Sequence, residues 1–177
     1  IEQAILDGAS ETGVSIMGLV KAMDAGPIFA QQRVALDGTE TKQALTQKLL
    51  TIGTQLIIDV LPEVLANTAH PRPQDESQAT STSLFTKPDG TMDLTKPADR
   101  CEREVRAYAV WPKSRLNLHG HQVIITKAHV AQGEADGKLV VRCNPGWLEI
   151  LELTAPRGKT INGADFRRGY LRDKFGR

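Results

Sequence analysis

Apolar residues recur at three- and four-residue steps through Leu45, Leu49, Ile52, Leu56, Val60 and Val64, the spacing that lines one face of an amphipathic helix. Thr41 stands at the N-cap position of that pattern, where a side-chain oxygen can accept an otherwise free amide of the first turn. Gly53 and Pro62 interrupt it and predict a helix that is weakened, kinked or split. Ahead of it, residues 13–20 and 27–36 read as two short strands joined by Lys21-Ala22-Met23-Asp24-Ala25-Gly26. Strand, turn, strand, helix is the tail of an α/β domain rather than a whole one.

From Asn67 to Thr86 the apolar periodicity stops and prolines and hydroxyl residues take over, so this stretch reads as a linker between a first part, 1–66, and a second, 87–177. In the second part Thr95 is expected to cap a helix bearing Ala98, Cys101, Val105 and Tyr108, ended by Trp111-Pro112. Short strands are then predicted at 115–118, 123–130, 139–143 and 147–153, with a closing helix at 164–174. Asp136-Gly137 and Asn162-Gly163 read as turns only, and Trp111 and Trp147 as core anchors. A helix with about five short strands predicts a small open barrel of OB-like form. The fold class expected is therefore α+β, an α/β remnant followed by an OB-like barrel.

Composition narrows the classes without choosing a function. Of the 177 residues 40% are hydrophobic, enough for a core without disulfides or metal, and none is expected. No apolar run approaches the roughly 20 residues that span a bilayer, so no membrane partner is expected. Cys101 and Cys143 lack metal-ligand spacing and read as buried thiols of a cytoplasmic protein. The chain opens on Ile1 inside what reads as a helix, which predicts a piece of a longer protein. The net charge of +1 hides an asymmetry: residues 1–83 hold five Lys/Arg against ten Asp/Glu, and residues 84–177 seventeen against eleven. A basic module joined to an acidic one is what polyanion binding by one half requires, although a solvated basic face has the same composition.

Taken alone, Asp24-Ala25-Gly26-Pro27 is a turn. Its context is more specific. Thr12-Gly13-Val14-Ser15-Ile16-Met17 followed by Met23-Asp24-Ala25-Gly26-Pro27-Ile28 resembles the folate-dependent formyltransferases, in which a strand leads to a loop bearing Asp-x-Gly. In that family the Asp belongs to an Asn, His, Asp catalytic set, and of the three only the Asp has a counterpart here, Asp24. Transfer of a formyl group from 10-formyltetrahydrofolate to an amine needs an unprotonated amine and hydrogen-bond donors for the developing oxyanion. A carboxylate can orient the group that carries the proton away. The resemblance implies Asp24 as the catalytic residue and Ala22 and Met23 as the remaining folate contacts, with this chain inactive by itself.

Independent matches run through the second half. Lys87 to Asp93, then Val105-Arg106-Ala107-Tyr108 and Trp111-Pro112, are similar to the C-terminal domain of the methionyl-tRNA formyltransferase family, with Leu94 in place of a usual Trp and Val110 in place of a usual Pro. Val123 to Ala128, and Gly158-Lys159 with Asp165-Phe166, continue the likeness. The family resemblance implies initiator methionyl-tRNA as partner, with no DNA, and makes Lys87, Arg106, Arg115, Lys127, Arg142 and Lys159 candidates for phosphate contact. Two other readings stay open: an RNA-binding OB-like module without chemistry, and a folate-dependent formyltransferase acting on a sugar nucleotide.

Overall fold

The computed structural model describes residues 1–171, in two compact units. The first comprises Ile1 and Ala9–Ser83; the second comprises Glu2–Gly8 and the residues from Leu84 onward.

In the first unit β1 (Glu11–Met17) pairs antiparallel with β2 (Ile28–Ala35). β1 ends at Met17, short of the expected Val20, because Gly18 turns its amide to the Pro27 carbonyl at 2.9 Å and the next residues leave the ladder. A long helix, here called α2 (Lys42–Leu65), lays Leu45, Leu49 and Val60 against the strands, with Val34 buried on β2. Thr41 caps it as expected, its hydroxyl accepting from the Ala44 amide at 3.2 Å.

α2 is not split at Gly53 or at Pro62. Pro62 sits on an exposed side of the helix, where the Ile58 carbonyl that it leaves without a partner in the ladder can meet water. Gly53 marks a close approach: a Cβ there would lie 3.2 Å from Val14 Cγ1.

The second unit begins with a short helix, α1 (Glu2–Leu6), which packs on α3 (Ala98–Ala107). Arg100 Nη1 donates to the Leu6 carbonyl at 2.7 Å, and Ile5 and Leu6 are buried. Thr95 does not cap α3; its amide and hydroxyl go to Asp93 Oδ1, and Pro97 occupies the cap position with its fixed φ. Glu104 on α3 is 1% exposed and takes Lys96 Nζ at 2.8 Å and Arg100 Nε at 3.5 Å.

The sheet is antiparallel throughout. Its strands are β3 (Ser114–Leu118), β4 (His121–Ala131), β5 (Val140–Arg142), β6 (Trp147–Thr154) and β7 (Thr160–Asn162). The order is β3-β4-β6-β5, with β7 on β6. Between Ile125↔Leu153 and Ala128↔Ile150 the register slips twice, once at Thr126 in β4 and once at Leu151 in β6. Such bulges bend and twist a pair of strands, and the sheet is curled.

α4 (Gly163–Tyr170) covers one part of this sheet; residues 172–174 of the longer helix predicted there lie outside the described residues. Asn162 is more than a turn residue, because its side chain caps α4 by accepting the Asp165 amide at 2.7 Å. Gly163 abuts β6 so closely that a Cβ would fall 1.9 Å from the Ile150 carbonyl oxygen.

Trp111 is not a core anchor. It is half exposed at the end of α3, while Pro112 behind it takes the buried place.

Cys101 and Cys143 are free thiols buried in the core with Val105, Leu148 and Phe166. Burial is the main force pushing the Cys101 thiol from its ordinary 9.0 up to about 12, with Cys143 beside it acting the same way. The Cys143 thiol is raised by burial as well. The native protein at pH 8 should therefore react with a thiol reagent far more slowly than the denatured chain, followed by absorbance. Between about 9 and about 12 the folded state keeps the Cys101 proton that the unfolded chain releases, so stability contributed below 9 should fall as pH rises through that window.

Candidate functional site

The loop between β1 and β2, residues 18–27, is closed at a narrow neck. Besides the hydrogen bond from the Gly18 amide to Pro27, Gly26 presses on Gly18: a Cβ at Gly26 would lie 1.7 Å from the Gly18 carbonyl oxygen. Only glycine fits. Beyond the neck Leu19, Val20 and Met23 stand in solvent, with Met23 91% exposed, and Lys21 and Ala22 are exposed beside them.

Asp24 lies on the outer turn of this loop with φ of 54°, a left-handed conformation that Asp tolerates better than most side chains. The expected turn is therefore present. It is not built by the Asp24 carboxylate, which accepts no hydrogen bond from the described residues, but by backbone carbonyls held from outside. The three positions assigned to catalysis and folate contact, Ala22, Met23 and Asp24, are thus adjacent and open to water.

What holds the loop comes from the stretch read as a linker. Arg72 pairs with Ile28 through both backbone bonds, at 2.8 and 3.0 Å, and its guanidinium donates to Gln31 Oε1. Gln74 Nε2 donates to the Asp24 carbonyl and to the Gly26 carbonyl, each at 2.7 Å, and rests 3.9 Å from Met17 Sδ. Asp75 caps the one-turn helix Glu76–Gln78; the Ser77 hydroxyl, followed by the Gln78 amide and the Ser77 backbone, holds its carboxyl below the ordinary carboxylate value. Loop and returning chain enclose a cleft of about 770 Å³ whose walls include Asp24, Ile28, Arg72, Gln74 and Thr80.

Sequence reasoning missed Arg72 and Gln74. The usable signal was Pro71 and Pro73, which push the residue before each of them toward extended backbone able to pair with a strand edge.

The six cations proposed for phosphate contact are dispersed over the second unit. Lys87, Lys127, Arg142 and Lys159 are exposed. Lys127 sits at the β4 bulge opposite Glu152, and Arg142 lies over the Trp147 ring at 5.7 Å. Lys159 follows the end of β6, whereas Arg142 pairs with its first residue, so the length of the strand separates them.

Arg106 is engaged by Glu102, with Nε 2.7 Å from Oε1, and its side chain is 13% exposed. Arg115 gives its guanidinium to the Pro112 and Lys87 carbonyls and is half buried. Lys138 and His129 both face Glu149, at 2.9 and 3.4 Å.

Comparison with known proteins decides what this arrangement belongs to. Residues 1–61 match the family described as formyl transferase, and residues 85–171 match formyl transferase, C-terminal domain. The chain belongs to the formyl transferase family. A methionyl-tRNA formyltransferase of Roseiflexus sp. (strain RS-1) is 37% identical over 178 residues, covering 94% of this formyl transferase chain and 54% of its own length. The chain spans about half the length of the curated relatives it matches.

Among solved structures, a HypX variant from Aquifex aeolicus superposes with a TM-score of 0.69 at 16% identity, over 97% of this chain and 34% of that one. Methionyl-tRNA formyltransferase from Clostridium thermocellum gives 0.57 at 16%, over 92% and 61%. These likenesses are in fold. No helix of the described residues is long and apolar enough to cross a membrane.

Proposed function

We propose that these residues are the share of a cytoplasmic methionyl-tRNA formyltransferase that carries the site carboxylate and the tRNA-holding module. The reaction is transfer of the formyl group of 10-formyltetrahydrofolate to the amino group of methionyl-initiator tRNA. The carrying observation is Asp24: a carboxylate without a partner among the described residues, displayed on a loop whose neck is fixed by Gly18, Gly26 and Gln74, in a chain 37% identical to a methionyl-tRNA formyltransferase.

The loop suits one flank of a folate. Leu19 and Met23 offer apolar surface beside the acid, a pairing that fits a flat heteroaromatic ring with polar edges. When bound, the folate supplies an activated formyl carbon. Asp24 orients and takes on the proton that leaves the methionyl amine, directly or through a water, and Ala22 and Met23 line the approach.

Residues 1–66, 67–86 and 87–177 are, in this reading, the formyl-transfer part, its connector and an OB-like tRNA-binding part built on the curled sheet. Lys87, Lys127, Arg142 and Lys159 carry most of the phosphate grip, because their charges are exposed; Arg106 and Arg115 add charge through guanidinium groups already engaged by protein. Such a grip supplies affinity and register but little sequence information.

The test is binding of the 177-residue chain to initiator tRNA across a salt series, with formylation measured in the same samples. Four phosphate contacts predict an affinity loss of roughly 10²-fold between 50 and 200 mM salt. No formyl transfer is expected, because Asp24 is the sole member of the catalytic set in these residues. Binding indifferent to salt would remove the phosphate grip, and turnover would show that Asp24 acts without the other two.

A further inference from the structure

The site reading assigns nothing to the connector, yet Gln74 makes the closest side-chain contacts to the Asp24 loop. We propose that Gln74 is a positioning residue of the formyl-transfer site, the clamp that fixes the backbone carrying Asp24; this rests on the reading of Asp24 given above.

The geometry is specific to a carboxamide. Nε2 has two hydrogens and spends them on two carbonyls, those of Asp24 and Gly26, each at 2.7 Å. These carbonyls flank Ala25, so the clamp spans the turn that sets the left-handed φ of Asp24. The same Nε2 lies 3.9 Å from Sδ of Met17, the last residue of β1. One side chain therefore ties the end of the first strand to the outer turn and to the neck.

Gln74 is itself fixed. Two residues upstream Arg72 is hydrogen-bonded to Ile28 at the start of β2, and one residue downstream Asp75 caps the turn at Glu76–Gln78. The clamp is anchored at both ends, whereas the loop tip, with Leu19 and Met23 almost fully exposed, has no packing of its own. Without Gln74 the turn is oriented from within the loop by the neck, where the Gly18 amide bonds to Pro27 and Gly26 meets Gly18.

Gln74→Glu is nearly isosteric and replaces the two donated hydrogens with a carboxylate facing two carbonyl oxygens. Gln74→Ala removes the clamp without repulsion. Both are measured in the longest natural chain containing these residues, by amide exchange over 18–27 and by formylation kinetics, alone and combined with Asp24→Asn.

The expected result is faster exchange across the loop in both variants and a fall in kcat of about 10²-fold for Gln74→Glu, the scale of an ångström-sized misplacement, with KM for tRNA little changed. On the Asp24→Asn background Gln74→Glu should cost nothing further. A purely structural role would lower activity equally on both backgrounds. Unchanged exchange, or a full additional loss on the Asp24→Asn background, overturns the proposal. Full turnover by Asp24→Asn alone would instead sink the reading of Asp24, and exchange would then decide by itself whether Gln74 holds the loop.

Discussion

Gly26→Ala should disable the site through the backbone of the loop, with the Asp24 carboxylate left intact. The added methyl has nowhere to go, because it would sit 1.7 Å from the Gly18 carbonyl oxygen and 2.8 Å from its carbon, both backbone atoms that cannot swing aside. Relief requires the neck to open by more than an ångström. Opening breaks the bond from the Gly18 amide to Pro27 and draws the Gly26 carbonyl away from Gln74.

On the proposed reading of Asp24, a displacement of that size is expected to lower formyl transfer by at least about 10²-fold in the longest natural chain containing these residues. Overpacking should cost about 1–3 kcal/mol in stability of the first unit. Amide exchange over 18–27 and single-turnover formylation measure the two effects. Native exchange rates in Gly26→Ala would mean that the neck is already open in solution, and the geometric account of the site would fail with it.

Legibility of this molecule from sequence tracks the range of the interactions that decide each feature. α2 was readable because its apolar repeat and the Thr41 cap are local signals. Its passage through Gly53 and Pro62 was not, since that depends on Val14 lying close to the glycine and on water reaching the proline side. Thr95 has the residue type of a cap, but Asp93 two residues earlier takes its amide and hydroxyl. β7 has three residues, too few to show any periodicity, and exists because Thr160–Asn162 pair with β6.

At the site, Asp24 was legible through the motif around it, while its orientation was not. Gln74 lies 50 residues later in a stretch whose composition reads as linker, and nothing within that stretch reveals that its amide reaches the Asp24 carbonyl. Among the cations, exposure could not be read from residue type alone. Arg106 lies among apolar neighbours on α3, a local sign of the engagement by Glu102 that the structure shows, whereas Arg115 looks like Lys127 and Arg142 in the sequence and differs in the carbonyls that fold against it.

Phe166→Ala should produce the largest loss of stability in the second unit. Phe166 is fully buried on α4 within the core cluster that includes Leu148, Ile150 and Leu153. Its ring stacks on Tyr170 at 4.7 Å between centroids and meets the edge of His121 at 6.0 Å. Removing it leaves a cavity that the surroundings can close only by moving α4, and α4 is held at its start by the Gly163 contact with Ile150.

A Phe-to-Ala change of this kind costs about 3–5 kcal/mol, which for a unit of this size lowers the midpoint by roughly 15 °C or more. Both tryptophans of the chain, Trp111 and Trp147, belong to this unit, so tryptophan fluorescence during denaturation reports on it. Phe166→Leu retains most of the buried volume and should lose less than half as much. A loss below about 1 kcal/mol in Phe166→Ala would mean that α4 melts separately from the sheet, so that the cooperative core ends at β6 and β7.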